Sequence, residues 1–163
     1  MDITTTSQSK GNYHMSIDIE RILLELEVLP EFSNQIMLQG IEGQTDHTYG
    51  LGQLYSLKLG HEESDFKYPL FDMSYTNQTI QELGMTRTRV MKMPGKTCYS
   101  YHVDESPRMH IPLITNENCF FVIEDEVVRL PADGNHYLID TTKKHTFVNA
   151  SYEDRIHIVG CIA

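Results

Sequence analysis

His102-Val103-Asp104 sets an imidazole and a carboxylate two positions apart. On a β-strand this spacing puts both side chains on one face, where they can share a metal ion. The motif alone is weak. With eight histidines and 23 acidic residues in 163 positions, roughly one His-x-Asp/Glu match is expected by chance. His61-Glu62-Glu63 is another match and reads as coincidence. A solvated strand end carrying an incidental pair would account for His102 and Asp104 as well. Support comes from His145 and Arg155, which lie symmetrically about Ala150 with the polar stretch 149–154 between them. An antiparallel hairpin over that stretch makes them cross-strand neighbours on one face. Two histidines and one carboxylate form the facial triad of non-haem iron(II) oxygenases. An arginine beside such a triad suits a carboxylate cosubstrate, because guanidinium binds it bidentately and stays charged when buried. In Arg108-Met109-His110-Ile111-Pro112-Leu113 the alternation puts Arg108 and His110 on one face and the apolar residues on the other. That polar face is either surface or pocket.

The elements that must position these residues are mostly strands. Asp18 can cap a helix in which Ile19, Ile22, Leu23, Leu26 and Leu29 recur at helical spacing before Pro30 stops it. A short helix over 77–83 ends at Gly84, and the glycine-rich segment 39–65 predicts loops with one strand near 54–59. From 86 onward the spacing becomes that of strands, over 86–93, 98–103, 108–114, 119–123, 127–130, 137–140, 145–149 and 155–162, with turn residues between them. The expected fold is mainly β, a double-stranded β-helix (jelly roll, cupin-like) with one or two N-terminal helices packed on it. We expect a disordered start over 1–15 and one domain over 16–163, its first part helical and looped and its metal-binding β core at 86–163.

Composition narrows the function classes. The chain is 40% hydrophobic and 22% charged over 163 residues, which fits a single domain with a real core. With 13 basic against 23 acidic residues the net charge is -10, which disfavours a nucleic-acid partner. Cys98, Cys119 and Cys161 show no C-x-x-C spacing and are read as reduced. No apolar run approaches a membrane span and no basic leader precedes an apolar core, so a cytoplasmic protein is expected. His14, His47 and His61 read as solvated; Arg87 and Arg89 alternate on a strand near the site and read as surface residues, the alternative being that one of them meets an acidic substrate. Tyr99 and Tyr101 bracket the approach to His102 as candidates for a substrate mouth.

The run 89–162 resembles the aspartyl/asparaginyl β-hydroxylase family of iron(II)- and 2-oxoglutarate-dependent oxygenases, which also holds bacterial proline hydroxylases. The likeness is carried by Arg89-Val90-Met91-Lys92-Met93-Pro94-Gly95, His102-Val103-Asp104, Arg108-Met109-His110-Ile111-Pro112-Leu113, Gly134 followed by Asp140, and His145 with Arg155 ten residues on. The resemblance implies that His102, Asp104 and His145 ligate Fe(II), that Arg155 binds the distal carboxylate of 2-oxoglutarate, and that Arg108 and His110 line the cosubstrate pocket. It implies dioxygen as co-reactant, an amino acid, peptidyl side chain or similar small polar molecule as substrate, and succinate as a product. Cys161 stands where the family often has an acidic residue, and the chain is short for the group, so no particular substrate carries over. Two other expectations fit the residues. One is a non-catalytic jelly-roll protein that keeps a dicarboxylate and metal pocket; the other is a cupin-type metalloenzyme without 2-oxoglutarate.

Overall fold

The protein is seen in a computed structural model that describes residues 16–54 and 58–162. The expected disordered start and His14 lie outside the described residues. Helix α1 (Ile19–Glu25) begins where the sequence predicts, with the Asp18 carboxylate accepting from Arg21 N, and gives way to a 3-10 turn over Leu26–Val28. Strands β1 (Gln35–Met37), β2 (Gln39–Gly40) and β3 (Tyr68–Pro69) follow, of which only β2 falls within the predicted loop segment 39–65. Of the strand expected near 54–59, positions 55–57 lie outside the described residues, and at its described ends Lys58 N donates to Leu54 O at 3.1 Å, which is not a strand bond. Helix α2 (Ser74–Glu82) starts three residues before the predicted position 77. Its first amides, Tyr75 N and Thr76 N, donate to the carboxylate of Glu25 at 2.9 and 2.7 Å, so a residue of α1 caps it.

The strands that follow are β4 (Met85–Met93), β5 (Thr97–Cys98), β6 (Arg108–Ile114), β7 (Cys119–Ile123), β8 (Glu126–Val128), β9 (Tyr137–Ile139), β10 (His145–Asn149) and β11 (Arg155–Ile162). Two antiparallel sheets result, in the orders β1-β4-β11-β6-β9 and β5-β10-β7-β8, with β2 and β3 as a separate pair. This is the expected jelly roll. Around the site the connections depart from expectation at two places. Strands β10 and β11 do not form a hairpin, because the turn between them carries the chain from the smaller sheet to the larger. The expected strand over 98–103 also shrinks to Thr97–Cys98, followed by one isolated bridge between His102 and His145.

Alternation on the larger sheet decides where the chemistry lies. Val90, Met109, Ile111, Leu113 and Ile158 face outward into an apolar cluster with Ile22 of α1 and Ile80 of α2. Their alternates Arg89, Arg108, His110, Arg155 and Val159 line a cavity on the opposite face, between the sheets. The helices thus cover the apolar face of a sheet whose inner face is polar. A second apolar cluster, with Met93, Phe121, Leu130 and Phe147 among its members, closes the sandwich beside that cavity.

A β-bulge shapes the same wall. Val159 pairs with Arg89 and Cys161 with Thr86, so β4 holds one extra residue there, and Arg87 takes a left-handed φ of 49°. The Gln39 side chain fills the broken ladder, donating to Met85 O at 3.2 Å and accepting from Thr88 N at 3.0 Å. Gly160 lies opposite the bulge, where a Cβ would come within 2.8 Å of Thr88 Oγ1.

Candidate metal and carboxylate site

The loop between β5 and β6 carries His102 and Asp104, and backbone bonds hold it against β10. His102 N donates to His145 O at 2.9 Å, His145 N returns to His102 O at 2.8 Å, and Asp104 N reaches Thr141 O at 2.9 Å. The pair therefore projects to one side without belonging to a continuous strand. His102 Nε2 lies 3.7 Å from Asp104 Oδ1, and His145 Nε2 lies 3.8 Å from Asp104 Oδ2. One ligand-capable atom from each residue falls within 4.8 Å of the other two.

The chemistry of these donors fits a metal ion. His102 Nδ1 sits 2.6 Å from Ser100 O and His145 Nδ1 sits 2.9 Å from Lys143 O. A carbonyl can only accept, so each Nδ1 carries a hydrogen, which leaves Nε2, turned toward Asp104, as the atom of each ring that can ligate. His145 is 3% exposed, whereas His102 and Asp104 remain half-buried.

Arg155 is 1% exposed, with its guanidinium carbon 3.8 Å from the centre of the Phe147 ring. Its Nε and Nη1 have no hydrogen-bond partner. Burial lowers its pKa to about 10, which leaves it charged at neutral pH. A buried cation with two idle donors beside a cavity fits an anionic ligand. The expected nearness of His145 and Arg155 is kept by another route. They line one cavity from opposite sheets and are not cross-strand neighbours.

His110 and His157 form a buried pair with their Nδ1 atoms 3.3 Å apart, and the Nε2 of each lacks a partner. Only one hydrogen fits between the Nδ1 atoms. Burial, then the charge of Arg155, holds both imidazoles well below their usual pKa. In the unfolded chain each takes up a proton near pH 6.5, and in the folded chain it does so far lower. Between those points the unfolded state binds more protons, and stability falls with pH by up to about 1.4 kcal/mol per unit per histidine. Urea unfolding should therefore show a loss of roughly 2 kcal/mol for the pair between pH 6.5 and 5.5, with little change above pH 7. The His157→Gln variant should lose about half of this slope. An equal slope in that variant rules out the pair as its source.

The far wall of the cavity was not foreseen. Arg87 and Arg108 converge on Glu63, with Nη1 of Arg87 at 3.1 Å and Nη2 of Arg108 at 2.9 Å from Oε1. The Ser106 hydroxyl donates to the other oxygen. Burial opposes ionisation of Glu63, but the Ser106 hydroxyl and the Arg108 charge outweigh it and its pKa is lowered. Glu63 belongs to the motif read as coincidence, and nothing in its local sequence marks it. Arg87 and Arg89, expected on the surface, are cavity residues: Arg87 is 2% exposed, and Arg89 keeps part of its side chain open to the cavity. Tyr99 lines the cavity, while Tyr101 is exposed and donates to Glu124 O at 2.7 Å. His47 and His61 are half-buried and rest against Phe71 and Phe66, a correction to their solvated reading.

Among the described residues, no helix is long and apolar enough to cross a membrane. No curated protein matches the chain significantly. Among solved structures it is similar to an oxidoreductase of the 2OG-Fe(II) oxygenase family from Burkholderia pseudomallei, at 17% identity and a TM-score of 0.50, covering 86% of this chain and 75% of that one. It is also similar to a predicted oxalate decarboxylase from Thermotoga maritima (16% identity, TM-score 0.40, 52% of this chain and 72% of that one). A third is the DMSP lyase DddQ from Ruegeria pomeroyi (17% identity, TM-score 0.41, 49% of this chain), of whose length the chain spans only 39%. At 17% identity the likeness to the oxygenase speaks for the fold alone. The sequence itself goes further, because the family model of aspartyl/asparaginyl β-hydroxylase matches residues 20–161, from α1 through β11. On that match, the chain belongs to the aspartyl/asparaginyl β-hydroxylase family.

Proposed function

We propose that the protein is an iron(II)- and 2-oxoglutarate-dependent hydroxylase acting on an amino acid, a peptidyl side chain or a similar small polar molecule. The observation that carries this reading is the convergence of His102, Asp104 and His145, with both Nε2 atoms turned toward the carboxylate. These three residues would hold iron(II). When bound, the metal would supply the redox chemistry that couples decarboxylation of 2-oxoglutarate to succinate with oxygen insertion into a substrate C–H bond.

The chain's own residues do the rest. Ser100 O and Lys143 O orient the two imidazoles and fix their tautomers. Asp104 offsets part of the metal charge, and Arg108, with Nε 3.6 Å from Asp104 Oδ2, steadies that carboxylate from behind. Arg155 takes the distal carboxylate of the keto acid through its idle Nε and Nη1. Arg108 and His110 complete the cosubstrate pocket, His110 offering its unpartnered Nε2. Phe121 and Phe147 form an apolar side of the cavity of about 310 Å³ and keep water from the reacting centre. Residues 16–163 act as one domain in this reading. All three cysteines are unpaired, in keeping with a reducing, cytoplasmic setting.

The test is anaerobic. Protein reconstituted with iron(II) should develop a weak visible charge-transfer band when 2-oxoglutarate is added, and calorimetry should record one bound keto acid. Arg155→Ala should keep the metal and lose the band. If wild-type protein gives neither band nor heat, the reading is wrong. A metalloenzyme that needs no keto acid would keep its turnover in Arg155→Ala. The two idle donors of Arg155 favour the keto-acid reading.

A further inference from the structure

Four guanidinium groups border the cavity, and only some have an anion. Arg87 and Arg108 share Glu63, and Arg108 also faces Asp104. Arg155 is accounted for by the keto acid in the reading above. Arg89 is left over. Among the described residues its only hydrogen bond is from Nη1 to Arg87 O at 3.4 Å, it has no carboxylate within ion-pair distance, and its buried Nε has no partner. Glu105 lies on the exposed rim with contacts of its own. Burial and the neighbouring charge of Arg87 lower the Arg89 pKa to about 10, the mark of a cation short of counter-charge.

Register separates Arg89 from Arg155. On β11, Arg155 stands opposite Met93 and Val159 opposite Arg89. Four residues of strand set the two positions about 13 Å apart along the sheet. Burial, then Arg155 and Arg89, depress the pKa of His110, whose residue lies on the neighbouring strand β6. Among the described residues the cavity thus holds two cations without an anionic partner, four strand positions apart along one wall, with the His-Asp-His cluster lining the same space.

We propose that Arg89 anchors the substrate, a small molecule with a free carboxylate, four strand positions along the cavity wall from Arg155. The placement rests on the reading of Arg155 as the keto-acid anchor, because that reading assigns the other carboxylate elsewhere. The carboxylate meets Arg89 as a charge-assisted, two-point hydrogen bond, and the rest of the molecule extends toward His102, Asp104 and His145. Arg89 thus selects free acids over their amides and esters.

The test uses the metal-free full chain, with the Nε–H resonances of its arginines assigned by NMR, and propionate as the probe. Two independent titrations are expected, one moving the Arg89 resonance and one moving that of Arg155, while propionamide moves neither. Because the variants lack the Arg89 resonance, calorimetry reads the first site there: Arg89→Gln should weaken it by about 10- to 100-fold and leave the Arg155 midpoint unchanged, and Arg89→Lys should restore part of it. An Arg89 resonance that ignores propionate, or answers propionamide equally, overturns the proposal. So does a loss of 2-oxoglutarate binding in Arg89→Gln, since Arg89 would then serve the cosubstrate. A separate arm adds 2-oxoglutarate alone. If it fails to move the Arg155 resonance, the keto-acid reading falls while the propionate response of Arg89 still decides this one.

Discussion

His145→Ala should abolish metal binding and leave the sandwich folded. In the proposed site the imidazole would supply one of three ligand atoms, and the backbone bonds between His102 and His145, at 2.8 and 2.9 Å, do not depend on its side chain. Disrupting only the partners that orient metal ligands commonly lowers affinity about 10- to 100-fold, and losing the ligand itself should exceed that. The partners here are the carbonyls of Ser100 and Lys143, which no side-chain substitution removes. The ligand is therefore the informative position. Anaerobic iron(II) titration should show one tight site in wild-type protein and none in His145→Ala, with an unchanged far-ultraviolet circular dichroism spectrum. Asp104→Ala should weaken the site too, and it also removes the negative charge facing Arg108. Undiminished iron affinity in His145→Ala would show that the metal sits elsewhere.

The C-terminal half was legible because its strands alternate, and alternation is a local property. Strands β6, β7, β10 and β11 coincide with the predicted ranges 108–114, 119–123, 145–149 and 155–162. The same period put Arg108 with His110, and Arg87 with Arg89, on shared faces. What it could not say was whether those faces meet water or a cavity. An arginine is costly to bury alone, so surface was the reasonable expectation. The structure reverses it through Glu63, 24 residues upstream of Arg87. The crossover from β10 to β11 was illegible for a related reason. A polar turn between two strands reads as a hairpin, but here Asn149 donates to Met93 O at 2.9 Å and to Glu153 O at 2.8 Å, and accepts from Ser151 Oγ at 2.7 Å. Those bonds tie the turn to β4 and send the chain into the other sheet. Strands β1 to β3, two or three residues each, are too short to carry a period and exist only through distant partners.

Glu63→Ala should destabilise the fold by about 3–5 kcal/mol, the usual cost of breaking a buried ion pair by removing one partner. That is a large share of the roughly 5–15 kcal/mol that holds a typical domain together. The magnitude follows from burial: the side chains of Arg87 and Arg108 are 2% and 6% exposed, and that of Glu63 15%, so solvent screens little of the interaction. Arg87 retains bonds to the carbonyl of Gly50, at 2.7 Å from Nη2, but a carbonyl does not neutralise a guanidinium. Two cations would then face each other with Arg89 nearby. Glu63→Gln keeps the shape and part of the hydrogen bonding and should lie between Ala and wild type. Urea unfolding supplies the measurement, and a companion variant makes it specific. Glu63→Leu combined with Arg87→Met exchanges charge for apolar packing and should recover much of the loss, since apolar replacements of buried pairs are often neutral or better. A change below about 1 kcal/mol for Glu63→Ala is the behaviour of an exposed pair and would contradict the buried arrangement. The effect should also reach the metal. Arg108 is held on one side by Glu63 and on the other faces Asp104 at 3.6 Å, so freeing it from Glu63 lets it compete with iron(II) for the Asp104 carboxylate. Iron affinity in the folded Glu63→Ala protein should accordingly fall, though by less than in His145→Ala, because all three ligands remain.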